Sequence, residues 1–557
     1  MGKGNSLRYL LTAAALASAM AMPAWARTPD APYFTRCDGY AQPDKRGDGL
    51  NSGSYLFGLA KTREDHRRGA SAFLEEGVAA CRKALADPLL KPEYRARRAS
   101  LMQALAYHQL ALFAFDDAMA TVDEIDAATE GFDPVLFRRG IGIGNRLLRS
   151  FGLMREDRHG EAMAELDAID AMRPYAMTIR NTTDSMRLMM DDRLDYQIEL
   201  LRRRAPRDPG VMLDGFLLAM NFGRFDDAVV FGKGISFDLP EQRPGWSIDN
   251  AQTLDYRVIE ARALVAGGVA YAMVATGDEA GAQGRIAAAR EDLTTAMAPP
   301  PPRADGRKQK KSVLRDFEMR KQFGAKGGQA LDAWEQTIQL RKDAAGLDLD
   351  QLKERLDALP KGSVPVVLDL VSRAEGTEKG LRAELAAYLL ESYNKQRIAE
   401  LQVDIFDLLR LLPHAEAPDN QIRFRRTNDG FFGGGENGYT RERMGGEDDW
   451  TIRFTDLTAT AATVEEFAML AAAQEALERG YDGLIIQTRR LLQRATRNYG
   501  MWGSYGGTSN SGREVQMRVR FVHAGALPPD LEGAEWRVLD AVQVMADLAD
   551  LPEKPPR

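Results

Sequence analysis

The amino-acid sequence predicts a mainly α-helical chain, a helical-repeat solenoid followed by a small α+β sandwich domain. Two observations carry this expectation. From about Ser54 to Leu293 apolar residues recur at spacings of three and four, as in Leu101, Leu105, His108, Leu112 and Phe115, with short Gly- or Asp-bearing turns between the runs. That period is one face of a helix. After Pro413 glycine density rises and the period becomes two. Trp450, Ile452 and Phe454 alternate with Thr451, Arg453 and Thr455, and Val515, Met517, Val519 and Phe521 alternate with Gln516, Arg518 and Arg520. Half-buried antiparallel strands read this way.

Residues 1–26 read as a cleavable secretory signal peptide. Lys3 and Arg8 make a positive start, Tyr9 to Met22 is uncharged and apolar, Pro23 breaks the run, and Ala24-Trp25-Ala26 supplies small residues at the cleavage positions. Those 14 apolar residues are too few to cross about 30 Å of hydrocarbon. No later stretch reads as a membrane span, so a periplasmic protein is expected, not an integral membrane protein. With no Cys at the end of the apolar run, lipid attachment there is not expected either. Loss of Lys3 and Arg8 takes the net charge from -7 to -9. That acidity speaks against nucleic acid as a partner, because such binding needs clustered cations.

Residues 27–53 are rich in Pro, Gly and Asp and are expected to be irregular. Cys37 and Cys81 are the chain's two cysteines. In an oxidising compartment such a pair is expected as a disulfide, the alternative being two buried free thiols. A bridge closing 44 residues would stabilise by up to about 4 kcal/mol in the chain-entropy picture.

Within the helical region, 54–297, short segments resemble one another. Phe115-Asp116-Asp117-Ala118 returns as Phe225-Asp226-Asp227-Ala228, His159-Gly160-Glu161-Ala162 is a variant with Pro174 beyond it, and Gly277-Asp278-Glu279 leads to Ala282. About residues 94–297 are thereby similar to degenerate tetratricopeptide repeats, in which a small residue turns the chain and an Ala lets the second helix sit close on the first. The departure is that the intervals between these alanines are not multiples of 34 and the leading aromatic and Gly positions are mostly lost. Residues 298–311, with Pro299 to Pro302 followed by Arg303, Arg307, Lys308, Lys310 and Lys311, read as an exposed Pro/basic linker. A further helical region, 312–412, includes a face of Leu381, Leu385, Tyr388, Leu389 and Tyr393.

Residues 413–557 form the expected C-terminal α+β domain. Thr463 and Glu466 suggest a capping box opening a helix that Gly480 closes. Leu484 to Ile486 reads as the next strand, and Trp536 to Leu551 as a last strand running into a short helix. Gly438-Tyr439-Thr440, the strand Trp450 to Phe454, the Ala471-Ala472-Ala473 helix and Tyr481 to Ile486 together resemble a small domain of uncharacterised proteobacterial envelope lipoproteins, over about residues 436–525. The chain lacks the lipidated Cys of those proteins. The resemblance implies an envelope location and transfers no functional residue.

Chemistry-bearing motifs are sparse. There is no phosphate loop and no His-Glu-x-x-His helix, so neither cofactor nor metal is expected. Asp44 and Asp48-Gly49 open like a calcium loop, yet Arg46 and Tyr55 stand where carboxylates are needed. Ser504 lacks the Gly two positions earlier that a nucleophile elbow requires, since Trp502 is there. Two binding elements are conceivable. Tyr499, Trp502 and Tyr505 lie on a Gly-rich stretch, either as a stacking loop or as a hairpin tip folded onto the sheet. Arg453, Arg518 and Arg520 share a strand face, with Arg489, Arg490, Arg494 and Arg497 nearby, either to hold an anion or as solvated edge charge. The expectation is a non-catalytic periplasmic binding or scaffolding protein whose repeats engage envelope proteins or peptides. The alternative is a cell-envelope hydrolase or peptidase with its site in the C-terminal domain.

Overall fold

The structure, a computed structural model, describes residues 32–43, 47–50, 70–132, 137–237, 249–305, 307–359, 366–374, several positions in 384–394, 424, 426, 427, 437–446, 448–456, 459–499, 505–528, 531 and 533–551. The expected signal peptide lies outside these residues. The chain divides into two compact units, and among the described residues the first ends at Met172 and the second begins at Arg173.

The first unit contains α1 (Pro32–Asp38), α2 (Leu74–Leu85), α3 (Arg95–Ala111), α4 (Phe115–Ala128), α5 (Gly142–Arg155) and α6 (His159–Met172). Part of the segment expected to be irregular is therefore helical. Pro32 begins α1, the position where a missing N–H costs nothing. Cys37 on α1 is joined to Cys81 on α2 by a disulfide, as expected. Beneath it, Asp38 and Arg97 form a fully buried ion pair, and Ser100 Oγ donates to Asp38 at 3.0 Å.

In the second unit follow α7 (Met177–Met190), α8 (Leu194–Arg204), α9 (Val211–Asn221), α10 (Phe225–Gly234), α11 (Asp249–Ala275), α12 (Glu279–Ala296), α13 (Lys311–Asp343), α14 (Leu349–Asp357) and α15 (Val367–Arg373). The Pro-rich stretch after α12 joins two helices that both pack on α11. On the 381–393 face, Leu381 and Tyr393 lie outside the described residues, Leu385 and Leu389 are half-buried, and Tyr388 is exposed. Contrary to expectation, Tyr256–Ala275 is long and apolar enough to span a membrane by length and composition. Most of it is buried within the unit's own helical core, where an all-round apolar helix also belongs.

The four resembling segments all start the second helix of a hairpin: α3–α4, α5–α6, α9–α10 and α11–α12. Each hairpin turns the same way. The residue two before the second helix has a left-handed backbone: Phe113 (φ 61°), Asp157 (59°), Gly223 (70°) and Gly277 (95°). The next N–H then bonds back across the turn, Ala114 to Gln109, Arg158 to Leu153, Arg224 to Ala219 and Asp278 to Met273, at 2.8–2.9 Å. This is the Schellman closure of a helix C-terminus. Four residues on, Ala118, Ala162, Ala228 and Ala282 are at most 2 % exposed. A methyl is what lets the second helix lie close on the first.

The C-terminal part of the second unit is one antiparallel sheet of β1 (Gly438–Arg443), β2 (Asp449–Asp456), β3 (Gly483–Tyr499), β4 (Tyr505–Val522) and β5 (Leu539–Asp540), in the order β1-β2-β4-β3-β5. Helix α16 (Ala461–Glu478) covers one face, and α17 (Ala541–Asp547) follows β5. Ile452, Phe454, Val515, Met517, Val519 and Phe521 pack with Phe467 and the alanines of α16, as the alternation predicts. Three details differ from expectation. Gly438–Arg443 is a strand, although its Gly and charged residues hid it. The helix is capped by Thr460, whose Oγ accepts from Thr463 N, so Thr463 and Glu466 do not form the capping box. Glu466 instead receives Arg173. And β3 and β4 continue as a paired ribbon to Tyr499 and Tyr505, a hairpin that runs well beyond the strands expected at Leu484 to Ile486 and Val515 to Phe521.

Candidate functional site

The expected site residues fall as follows. Tyr499 and Tyr505 face each other across the ribbon, and Trp502 and Ser504 lie outside the described residues. Residues 500–504 lie outside the described residues. Arg453, Arg518 and Arg520 do share one sheet face, but each has a carboxylate partner. Arg518 holds Asp449 through two contacts at 3.1 and 2.5 Å, Arg520 holds Asp448 at 2.8 Å, and Arg453 reaches Glu442 at 3.4 Å. Charges neutralised by their own strands present little net field to an anion. Arg489 is buried elsewhere, paired with Glu465 at 2.9 Å. Among the described residues no three His, Cys, Asp or Glu side chains converge.

One feature with room for a ligand is a cleft of about 610 Å³ in the second unit, between α11, α12, the segment after α10 and the start of α13. That size falls in the range of small-molecule sites. Its origin lies in small residues. Ala263 and Ala266 on α11 face Ala289 and Ala296 on α12, leaving open space where larger side chains would interdigitate. Ile235, Phe237, Ile259 and Leu293 add apolar wall. Gly327 on α13 completes the backing, since a Cβ there would approach Leu293 to 2.8 Å and Ala263 to 3.2 Å.

The polar groups are few and unequal. Arg262 donates to the Phe237 carbonyl. Arg320 pairs with Asp316 at 2.8 Å and reaches the Ala296 carbonyl at 3.3 Å, and Tyr256 donates to Asp316 at 2.6 Å. Arg285 differs. It is half-buried, its Nε is out of water, and it has no hydrogen-bond or ion-pair partner among the described residues. Burial lowers the pKa of its guanidinium, opposed by the charge of exposed Asp292 two turns along α12. An arginine stays protonated all the same, so the cleft wall holds a cation with unmet donors.

Comparison with protein-family models, curated proteins and solved structures finds no match to this chain. The cleft therefore has to be read from its own chemistry. Sequence reasoning missed it because its members belong to three helices and the segment after α10. The available signal was a single Arg inside the small-residue run Ala282 to Ala289, on a helix face too small to pack fully.

Proposed function

We propose that this chain is a non-catalytic periplasmic binding protein in which tetratricopeptide-like helix hairpins frame a cleft for an envelope ligand. The observation that carries the reading is the open cleft between α11 and α12, where apolar walls meet a few charged groups, with its unpartnered Arg285. The shared turn and the buried Ala in each hairpin support kinship with helical-repeat solenoids, which present binding surfaces in the same way. The n-h-c pattern at the N-terminus and the disulfide between Cys37 and Cys81 support an oxidising, exported setting.

The test is titration with N-phenyl-1-naphthylamine, a neutral apolar fluorophore. The full chain is expected to bind it saturably at one site. Ala289→Trp, which puts an indole into the cleft from a half-buried position, is expected to weaken binding at least tenfold while leaving the melting temperature near that of the parent. Ala288→Trp, at an exposed lining position, serves as the milder version. No saturable binding by the parent chain, or equal binding by both Trp variants, would overturn the reading.

A further inference from the structure

We propose that the cleft selects a carboxylate carried on an apolar body, with Arg285 as its anchor. This rests on the reading above that the cleft binds a ligand, and it names the ligand's chemistry.

The charge balance comes first. Three arginines against two aspartates leave the cleft lining with one positive charge in excess. Two of the arginines are engaged: Arg320 by Asp316, which also receives Tyr256, and Arg262 by the Phe237 carbonyl. Arg285 has neither a carboxylate nor a carbonyl acceptor among the described residues. Asp292 is exposed and lies beyond ion-pair distance, so it offsets the charge without supplying an acceptor.

The geometry selects among anions. A guanidinium offers donors in a planar fork that fits a carboxylate bidentately. With its Nε already out of water and unmatched, Arg285 bears a desolvation cost that an incoming carboxylate would offset. A strongly hydrated dianion is a poor fit, because the lining offers one unmatched guanidinium among mainly alanine, valine, isoleucine and leucine side chains, with Ser236 and Thr295 as its hydroxyls and Asp292 as a like charge. Along α12 Arg285 lies 11 residues before Ala296, roughly 16 Å at the helical rise. Between them the wall on α12 is Ala288, Ala289, Asp292, Leu293 and Thr295, and on α11 it is Ala263 and Ala266. A ligand with its head at Arg285 therefore lays an apolar body along alanine-lined space toward the Asp316 end, where the polar groups already satisfy one another. Fatty acids and the C-terminus of a peptide ending in an apolar residue both present this chemistry.

Matched pairs that differ only in the carboxylate test the inference by displacement of N-phenyl-1-naphthylamine. The pairs are dodecanoate against dodecanol, and acetyl-Ala-Ala-Leu with a free against an amidated C-terminus. In at least one pair the carboxylate is expected to bind about tenfold to a hundredfold tighter, the scale of a charge-assisted hydrogen-bonded contact. The pair showing it identifies the source. Arg285→Gln is expected to abolish the difference, read as the ratio of affinities within each pair so that any change in fluorophore affinity cancels. Arg285→Lys is expected to keep part of it. Equal binding within both pairs, or a preference that survives Arg285→Gln, would overturn the inference while the cleft remains a binding site. Failure of the neutral fluorophore itself would instead remove the underlying reading.

Discussion

His108 shows how far a single residue can be read from sequence. Its place on an apolar stripe marked it as a core histidine. In the structure its Nε2 lies 2.9 Å from the Cys37 carbonyl, its ring packs where any Cβ on residue 77 would be, and its Nδ1 is buried without a partner. Burial lowers its pKa below the ordinary value, opposed by the Cys37 carbonyl and by Asp38. The folded protein thus holds the ring neutral at a pH where the unfolded chain takes up a proton. The resulting stability is fully present above about pH 6.5 and is lost as pH falls toward the folded value, at roughly 1.4 kcal/mol per pH unit. Amide exchange in residues 95–111, followed from pH 7.5 to 5, should show the opening free energy of α3 declining over that range. A flat profile would contradict the assignment. Arg285 is the opposite case. Beyond the small residues around it, nothing in the sequence distinguishes it from a solvated helix arginine, because its value depends on which carboxylates the neighbouring helices fail to bring near it.

At the scale of elements, the four hairpins were the most legible feature. Phe115, His159, Phe225 and Glu279 each begin a helix where the resembling segments placed one, because a turn residue followed by a small helical position is a local requirement. The turns also vary in a way that can be tested. Gly223 and Gly277 adopt the left-handed backbone without penalty, whereas Asp157 adopts it with a Cβ and an almost fully exposed side chain. Asp157→Gly is expected to stabilise the α5–α6 hairpin by about 0.5–1 kcal/mol, read as a raised urea midpoint for exchange in residues 142–172. A lowered midpoint would mean that Asp157 contributes something other than a turn. Elements set by distant contacts were not legible. The helix start lies three residues earlier than expected, with Thr460 as a simple N-cap in place of a capping box, and Glu466 is needed by Arg173. Likewise, the Gly-, Ser- and Asn-rich sequence of 505–512 reads as loop, but pairing with β3 makes it strand.

For the molecule as a whole, the second unit cannot be divided at the change of sequence character near Pro413. Arg173, the first residue of that unit, grips Glu466 of α16 through two contacts at 2.9 and 2.6 Å, with both side chains at most 3 % exposed. Glu465 accepts from Thr178 N, and buried Arg537 reaches both the Gly234 and Ile486 carbonyls, at 3.0 and 2.8 Å. Burial alone draws the Arg537 guanidinium down to about 10. Arg173→Met would remove this ion pair from the buried Glu466, and a loss of about 3–5 kcal/mol is expected in urea unfolding followed by tryptophan fluorescence. Adding Glu466→Leu should recover most of it. A single variant as stable as the parent would contradict the proposed docking of α16. The central claim concerns the cleft that the same unit encloses, and a diazirine-bearing apolar photoprobe tests it most directly. Irradiated with the full chain and mapped by mass spectrometry, the probe is predicted to mark peptides containing Ala263, Ala289 and Leu293. Labelling concentrated on the sheet at residues 438–522 or in the first unit, with those peptides unmarked, would contradict the account.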